Sequence, residues 1–140
     1  KLWGNVCFAG EQARSEIPAL LSTGSIGISL MKTMNSTKVA MPAKVYEYIG
    51  MGLPIEVAPE GELHDFVINE NIGLAFKKMD ISQIADSLVA LEKDQARYEH
   101  YQKQIHSVHT QFDRTNQSMV MADLIEKYFG STEAKKVNLN

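Results

Sequence analysis

Short apolar runs alternating with helical segments predict an α/β domain, a parallel sheet in three α/β/α layers finished by helices at the carboxyl end. Three observations carry that expectation. Apolar runs recur at Asn5–Phe8, Ile26–Leu30, Leu53–Ala58 and Leu74–Phe76. Segments with apolar residues at helical spacing lie between them, and from Ile81 that spacing persists almost to the end. Gly, Pro, Asn and Ser punctuate the junctions, as turn chemistry requires.

Taken in order, Asn5 to Phe8 ends at Gly10 and reads as a strand closing in a tight turn. Ser15 to Ser22 puts Ile17, Leu20 and Leu21 on one face and reads as a helix. After Thr23, Gly24 and Ser25 comes Ile26 to Leu30, suited to a strand covered on both faces. Met31 to Met41 is polar and aperiodic, a loop at the carboxyl end of that strand, where sites are often built. Pro42 suits the first helical position, lacking an N–H and holding a helical φ; Val45, Tyr48 and Ile49 follow, and Gly50 or Gly52 ends the helix. Leu53 to Ala58 is the next strand, closed by Pro59, Glu60 and Gly61. Glu62 to Glu70, with Leu63, Phe66 and Val67 at helical spacing, is a helix stopped by Asn71 and Gly73, and Leu74 to Phe76 is the last strand. Three helical segments follow, carrying Ile81, Ile84, Leu88 and Leu91, then Tyr98, Tyr101, Ile105 and Val108, then Met119, Leu124, Ile125 and Phe129. Residues 1–129 read as one domain and 130–140 as a flexible tail. Because the chain opens on Lys1 and enters a strand almost at once, it reads as a piece of a longer protein with strand and helix units upstream.

Composition narrows the function classes. A chain of 140 residues, 44% hydrophobic, suits a single buried core. Its net charge of -3 comes from interspersed acids and bases, which argues against a nucleic-acid surface. The lone Cys7 forms no internal disulfide; set among Val6, Phe8 and Ala9 it reads as a buried thiol, in keeping with a reducing, cytoplasmic setting. No stretch approaches the roughly 20 apolar residues that cross a bilayer, and the start does not read as an export signal.

Chemistry concentrates in the segment from Met41 to Ile55. A helix N-terminus at the mouth of a parallel sheet offers unpaired N–H groups and the positive end of the helix dipole, which together suit a phosphate. The donors would be the amides of Ala43 and Lys44, with the Lys44 ammonium beside them; Glu47, one turn on, would accept hydrogen bonds from vicinal hydroxyls, as in a ribose. Spacing alone equally allows Lys44 and Glu47 to be a solvated i, i+3 ion pair.

The run Pro42, Lys44, Glu47, Tyr48, Gly52, Pro54, Ile55 resembles the P-x-K-x-x-E-[YA]-x-x-x-G-x-P-[IV] signature of retaining GT-B glycosyltransferases. Asn5 to Gly10, Ile17 to Leu21, Ile26 to Ile28, Gly61-Glu62, Asn71 to Phe76 and Asp80 extend the likeness over most of Asn5 to Phe129. The resemblance implies the Rossmann-like C-terminal half of such an enzyme, binding a nucleotide-diphosphate sugar for transfer to an acceptor in bacterial surface polysaccharide or lipopolysaccharide synthesis. It implies that Glu47 meets the donor ribose, Ala43 and Lys44 the diphosphate, Gly10, Glu11 and Gln12 the nucleobase, and Gly61 and Glu62 the donor sugar. It implies no metal or cofactor, an acceptor held by an absent N-terminal domain, and a cytoplasmic place at the inner membrane face. The family's further glutamate, eight residues before Glu47, is Val39 here, which points to a subgroup that keeps only the second. The competing reading is a non-catalytic α/β module that binds nucleotide or phosphate without transfer, or a regulatory domain whose Lys44 and Glu47 are surface charges.

Other residues read more simply. His100, His106 and His109 share one helical segment, the last two three residues apart on one face but without an evident third metal ligand, and His64 beside Asp65 reads as a structural pair. The methionines read as core and loop filler, and in Phe112-Asp113-Arg114 either Asp113 or the following Thr115 serves to cap the last helix.

Overall fold

The computed structural model describes residues 4–133. A parallel sheet of three strands, β1 (Gly27–Leu30), β2 (Ile55–Ala58) and β3 (Gly73–Ala75), lies at its centre in the order β1-β2-β3. Parallel neighbours need crossovers, and helices supply them. α2 (Asn35–Lys38) and α3 (Ala43–Gly50) join β1 to β2, and α4 (Glu62–Glu70) joins β2 to β3. α1 (Ile17–Leu21) precedes the sheet; α5 (Ile81–Lys93), α6 (Gln95–His109), a 3-10 turn at Thr110–Phe112 and α7 (Arg114–Glu133) follow it. The chain is thus an α/β domain on a parallel sheet, as its sequence pattern predicts.

Register decides which side chains share a face. Gly27, Ile55 and Gly73 stand abreast, as do Ser29, Val57 and Ala75. That face meets α3, α4 and the second half of α6 in a cluster of Val45, Ile49, Ile55, Val57, Leu63, Val67, Ile72, Ile105 and Val108. Each such side chain contributes about 1.5–3 kcal/mol on burial, so this cluster dominates the fold. The opposite face carries Ile28, Glu56 and Leu74 in one row. There Leu74 packs with Leu91 and Tyr101, flanked by Ile26, Phe76 and Tyr98.

The caps follow from residue chemistry. Gly52 adopts φ 70°, and α3 closes in a Schellman turn, with the Gly52 and Leu53 amides donating to the Ile49 and Tyr48 carbonyls at 3.1 and 3.0 Å. Asn71 at φ 54° ends α4 in the same way. Asp80, Asp94 and Asp113 accept from amides in the first turns of α5, α6 and α7.

Several expectations need correction. Asn5 to Phe8 is not a strand: it lies outside the three-strand sheet, with Val6 51% and Phe8 79% exposed. Apolar composition supplies a strand's side chains, but the hydrogen-bonded ladder decides. Cys7 is accordingly exposed, not buried. The expected helix from Ser15 to Ser22 is trimmed to α1, with Pro18 in its first turn and no residue fully buried. Ile28 is 39% exposed, so β1 is not covered on both faces along its length. The loop from Met31 to Met41 holds α2, a single turn. Met119, Leu124, Ile125 and Phe129 are 45–68% exposed, because α7 packs chiefly on the 3-10 turn and leaves the body behind. α7 continues to Glu133, and the rest of the tail expected from residue 130 lies outside the described residues.

Candidate functional site

α3 leaves the segment after β1 and returns the chain to the start of β2, so its first turn lies toward the carboxyl edge of the sheet. Pro42, at φ -62° and ψ 140°, is the residue just before the helix rather than its first. Ala43 and Lys44 therefore take the first two helical positions, where amides have no partner within the helix. Among the described residues no side chain caps this end, and the Val45 amide turns back to the Pro42 carbonyl at 3.0 Å.

The inner face of α3 is anchored by Val45 and Ile49, exposed by 0% and 1%. Tyr48 adds a hydroxyl that donates to the Ile28 carbonyl at 3.3 Å. Burial pushes its phenol above the usual range, and the neighbouring Glu47 carboxylate pushes the same way, so the donated proton stays in place. With one face committed to the core, Ala43, Lys44 and Glu47 are left exposed.

Ala43 and Glu47 come together in an open pocket of about 590 Å³, lined also by Arg14, Tyr46, Phe112, Arg114 and Gln117. The Tyr46 and Phe112 rings lie 5.3 Å apart at 56°, and Phe112 meets Phe66 of α4 edge-on at 5.6 Å. The aromatic wall is thereby tied to the core. Asp113 accepts from the Thr115 and Asn116 amides at 2.9 and 3.1 Å, which starts α7 and places Arg114 at the rim. Among the described residues, the side chains of Arg14, Glu47 and Arg114 form no ion pair and no hydrogen bond. Guanidinium forks match phosphate oxygens, and a carboxylate accepts from hydroxyls, so the lining suits a ligand that carries both.

Lys44 stands on α3 outside this lining and makes no ion pair with Glu47 among the described residues. Gly10 (φ 69°) and Glu11 are exposed, and Gln12 turns its amide to the Ala9 carbonyl; none of the three lines the pocket, although Arg14, two residues on, does. Gly61 and Glu62 open α4 and also lie outside it. Gly61 has a packing reason of its own: at φ 154° it lies so close to α2 that a Cβ would stand 2.8 Å from the Lys38 carbonyl oxygen. The Lys38 ammonium meets Glu60 at 3.9 Å across the same contact. Val39 is 72% exposed.

His64 is buried, its Nδ1 2.9 Å from the Asp65 carboxylate. His100 pairs with the Asn71 amide at 2.7 Å, while His106 and His109 are exposed. Among the described residues no three His, Cys, Asp or Glu side chains gather as metal ligands, and no helix is long and apolar enough to cross a membrane.

Sequence reasoning missed Arg14, Tyr46, Arg114 and Gln117 as pocket residues, and gave Phe112 no place in a site. Their shared location depends on chain segments far apart in sequence, which no local spacing reports. An aromatic residue just before a candidate capping aspartate is the one local hint. Comparison with family models, curated proteins and solved structures finds no match to this chain.

Proposed function

We propose that the chain is the nucleotide-sugar-binding half of a retaining GT-B glycosyltransferase, a Rossmann-like, three-layer unit that acts with an acceptor-binding domain. One observation supports this reading above the rest. Ala43 and Glu47, four residues apart in the signature segment, line the same pocket as an aromatic pair and two arginines that form no ion pair among the described residues.

In this reading the amides of Ala43 and Lys44 hold the diphosphate, and Glu47 accepts hydrogen bonds from the ribose hydroxyls. Gly10, Glu11 and Gln12 serve the nucleobase side, and Gly61 and Glu62 the donor sugar. The bond between the sugar's anomeric carbon and the diphosphate breaks, and an acceptor hydroxyl bonds to that carbon and loses its proton. The protein's contribution is chiefly electrostatic, because negative charge grows on the leaving diphosphate where donors already point at it. Surface polysaccharide or lipopolysaccharide assembly at the inner face of a bacterial membrane is the setting proposed, with no metal required.

Calorimetric titration with UDP, GDP and inorganic phosphate tests the proposal. A nucleoside diphosphate should bind at least about tenfold more tightly than phosphate, and Glu47→Ala should weaken it about tenfold. Equal, weak binding of all three would make the chain a simple anion module and sink the transferase reading.

A further inference from the structure

Arg14 and Arg114 come from opposite parts of the chain, one just before α1 and the other at the start of α7, yet both line the pocket that holds Glu47. With two arginines and one glutamate in its lining, the pocket carries a formal excess of one positive charge, and among the described residues none of the three is neutralised by an ion pair. Like charges brought together repel, and an anion between them converts that repulsion into attraction. The pocket's volume of about 590 Å³ is far larger than an orthophosphate needs and lies within the usual range for small-molecule sites.

The aromatic wall adds shape. Tyr46 is 40% exposed, and its ring leans on Phe112, which is held edge-on by Phe66. A planar ring can rest against such a wall by stacking, which depends little on the identity of the ring.

Resting on the reading that a nucleotide binds here, we infer that Arg14 and Arg114 clamp the two phosphates of a nucleoside diphosphate while its base lies against Tyr46 and Phe112. Each guanidinium fork takes two oxygens of one phosphoryl group, so a diphosphate engages both arginines and a monophosphate only one. The clamp adds Arg14 and Arg114 to the α3 amides as holders of the diphosphate, and the aromatic wall adds a stacking surface for the base.

The test is titration of the full chain with pyrophosphate, orthophosphate and UDP, in the native form and as Arg14→Gln, Arg114→Gln, Arg114→Lys, Tyr46→Leu and Glu47→Ala. All five substitutions are at exposed positions, and a circular-dichroism melt checks that each variant folds. Pyrophosphate should bind about tenfold or more tightly than orthophosphate, and either glutamine substitution should erase that preference. Arg114→Lys should recover only part of it, because an ammonium lacks the fork. Tyr46→Leu should weaken UDP about tenfold and pyrophosphate much less. A pyrophosphate preference that survives both glutamine variants overturns the clamp, and the donor reading then stands if Glu47→Ala still weakens UDP. Pyrophosphate bound through the arginines, with UDP no tighter and indifferent to Glu47→Ala, upholds the clamp and removes the donor reading. Silence toward all three probes overturns both.

Discussion

Glu56 is the residue whose chemistry is most out of keeping with its place. It sits on the central strand, 0% exposed, abreast of Ile28 and Leu74. One carboxyl oxygen accepts from Ser87 at 2.9 Å; the other has no partner among the described residues. Burial lifts its pKa above the ordinary 4.5, and the Ser87 hydrogen bond pulls only partly back. The folded state therefore holds the proton more tightly than the unfolded chain does. Its stabilising effect is fully present below the unfolded pKa and is lost as pH rises through the higher, folded one. Glu56→Met, which keeps bulk and discards the charge, should raise stability near neutrality by about 1–3 kcal/mol. It should also flatten the difference between about pH 5 and about pH 8 in urea unfolding curves. A variant whose midpoint at about pH 8 stays at or below the native value refutes this account. The sequence shows Glu56 inside an apolar run, yet gives no sign of what Ser87, thirty-one residues later, does for it.

At the scale of elements, α2 rests on the entry to α4 through a contact that only glycine allows. Gly61→Ala would force a methyl group against the Lys38 backbone, at a φ of 154° that L residues rarely adopt. It should destabilise the chain by about 1–3 kcal/mol, read by thermal unfolding, and the Lys38 to Glu60 pair should open. An unchanged midpoint would mean that α2 yields freely. Legibility at this scale tracks local signals. Glu62 to Glu70 is a helix with the predicted bounds, because apolar spacing agrees with the turn residues at both ends. α2 was invisible, since Asn35, Ser36, Thr37 and Lys38 carry no apolar period at all. The strand expected at Asn5–Phe8 failed for the opposite reason: its side chains suit a strand, but pairing is a nonlocal fact. Within α3 the spacing put Lys44 and Glu47 on one side of the helix, whereas the pocket is lined by Ala43 and Glu47 and not by Lys44.

For the whole molecule, the core that welds the sheet to α3, α4 and α6 owes little to α7. The chain ended after Asp113 should therefore keep cooperative unfolding, with a midpoint within about 5 °C of the full chain. Its affinity for pyrophosphate should fall, since Arg114 and Gln117 go with the helix. Loss of cooperativity, followed by scanning calorimetry, would show that α7 belongs to the body after all. That separation was hidden from sequence, because the apolar residues of α7 are spaced like those of a packed helix and only the absent neighbour tells them apart. The pocket thus has one firm wall and two loosely held ones. α3 is pinned by Val45 and Ile49, whereas Arg14 precedes a helix with no buried residue and Arg114 opens one that leans on a single turn. A guest settling there would have to fix two sparsely packed flanks before gaining full contact, and part of its binding free energy would go into ordering its host.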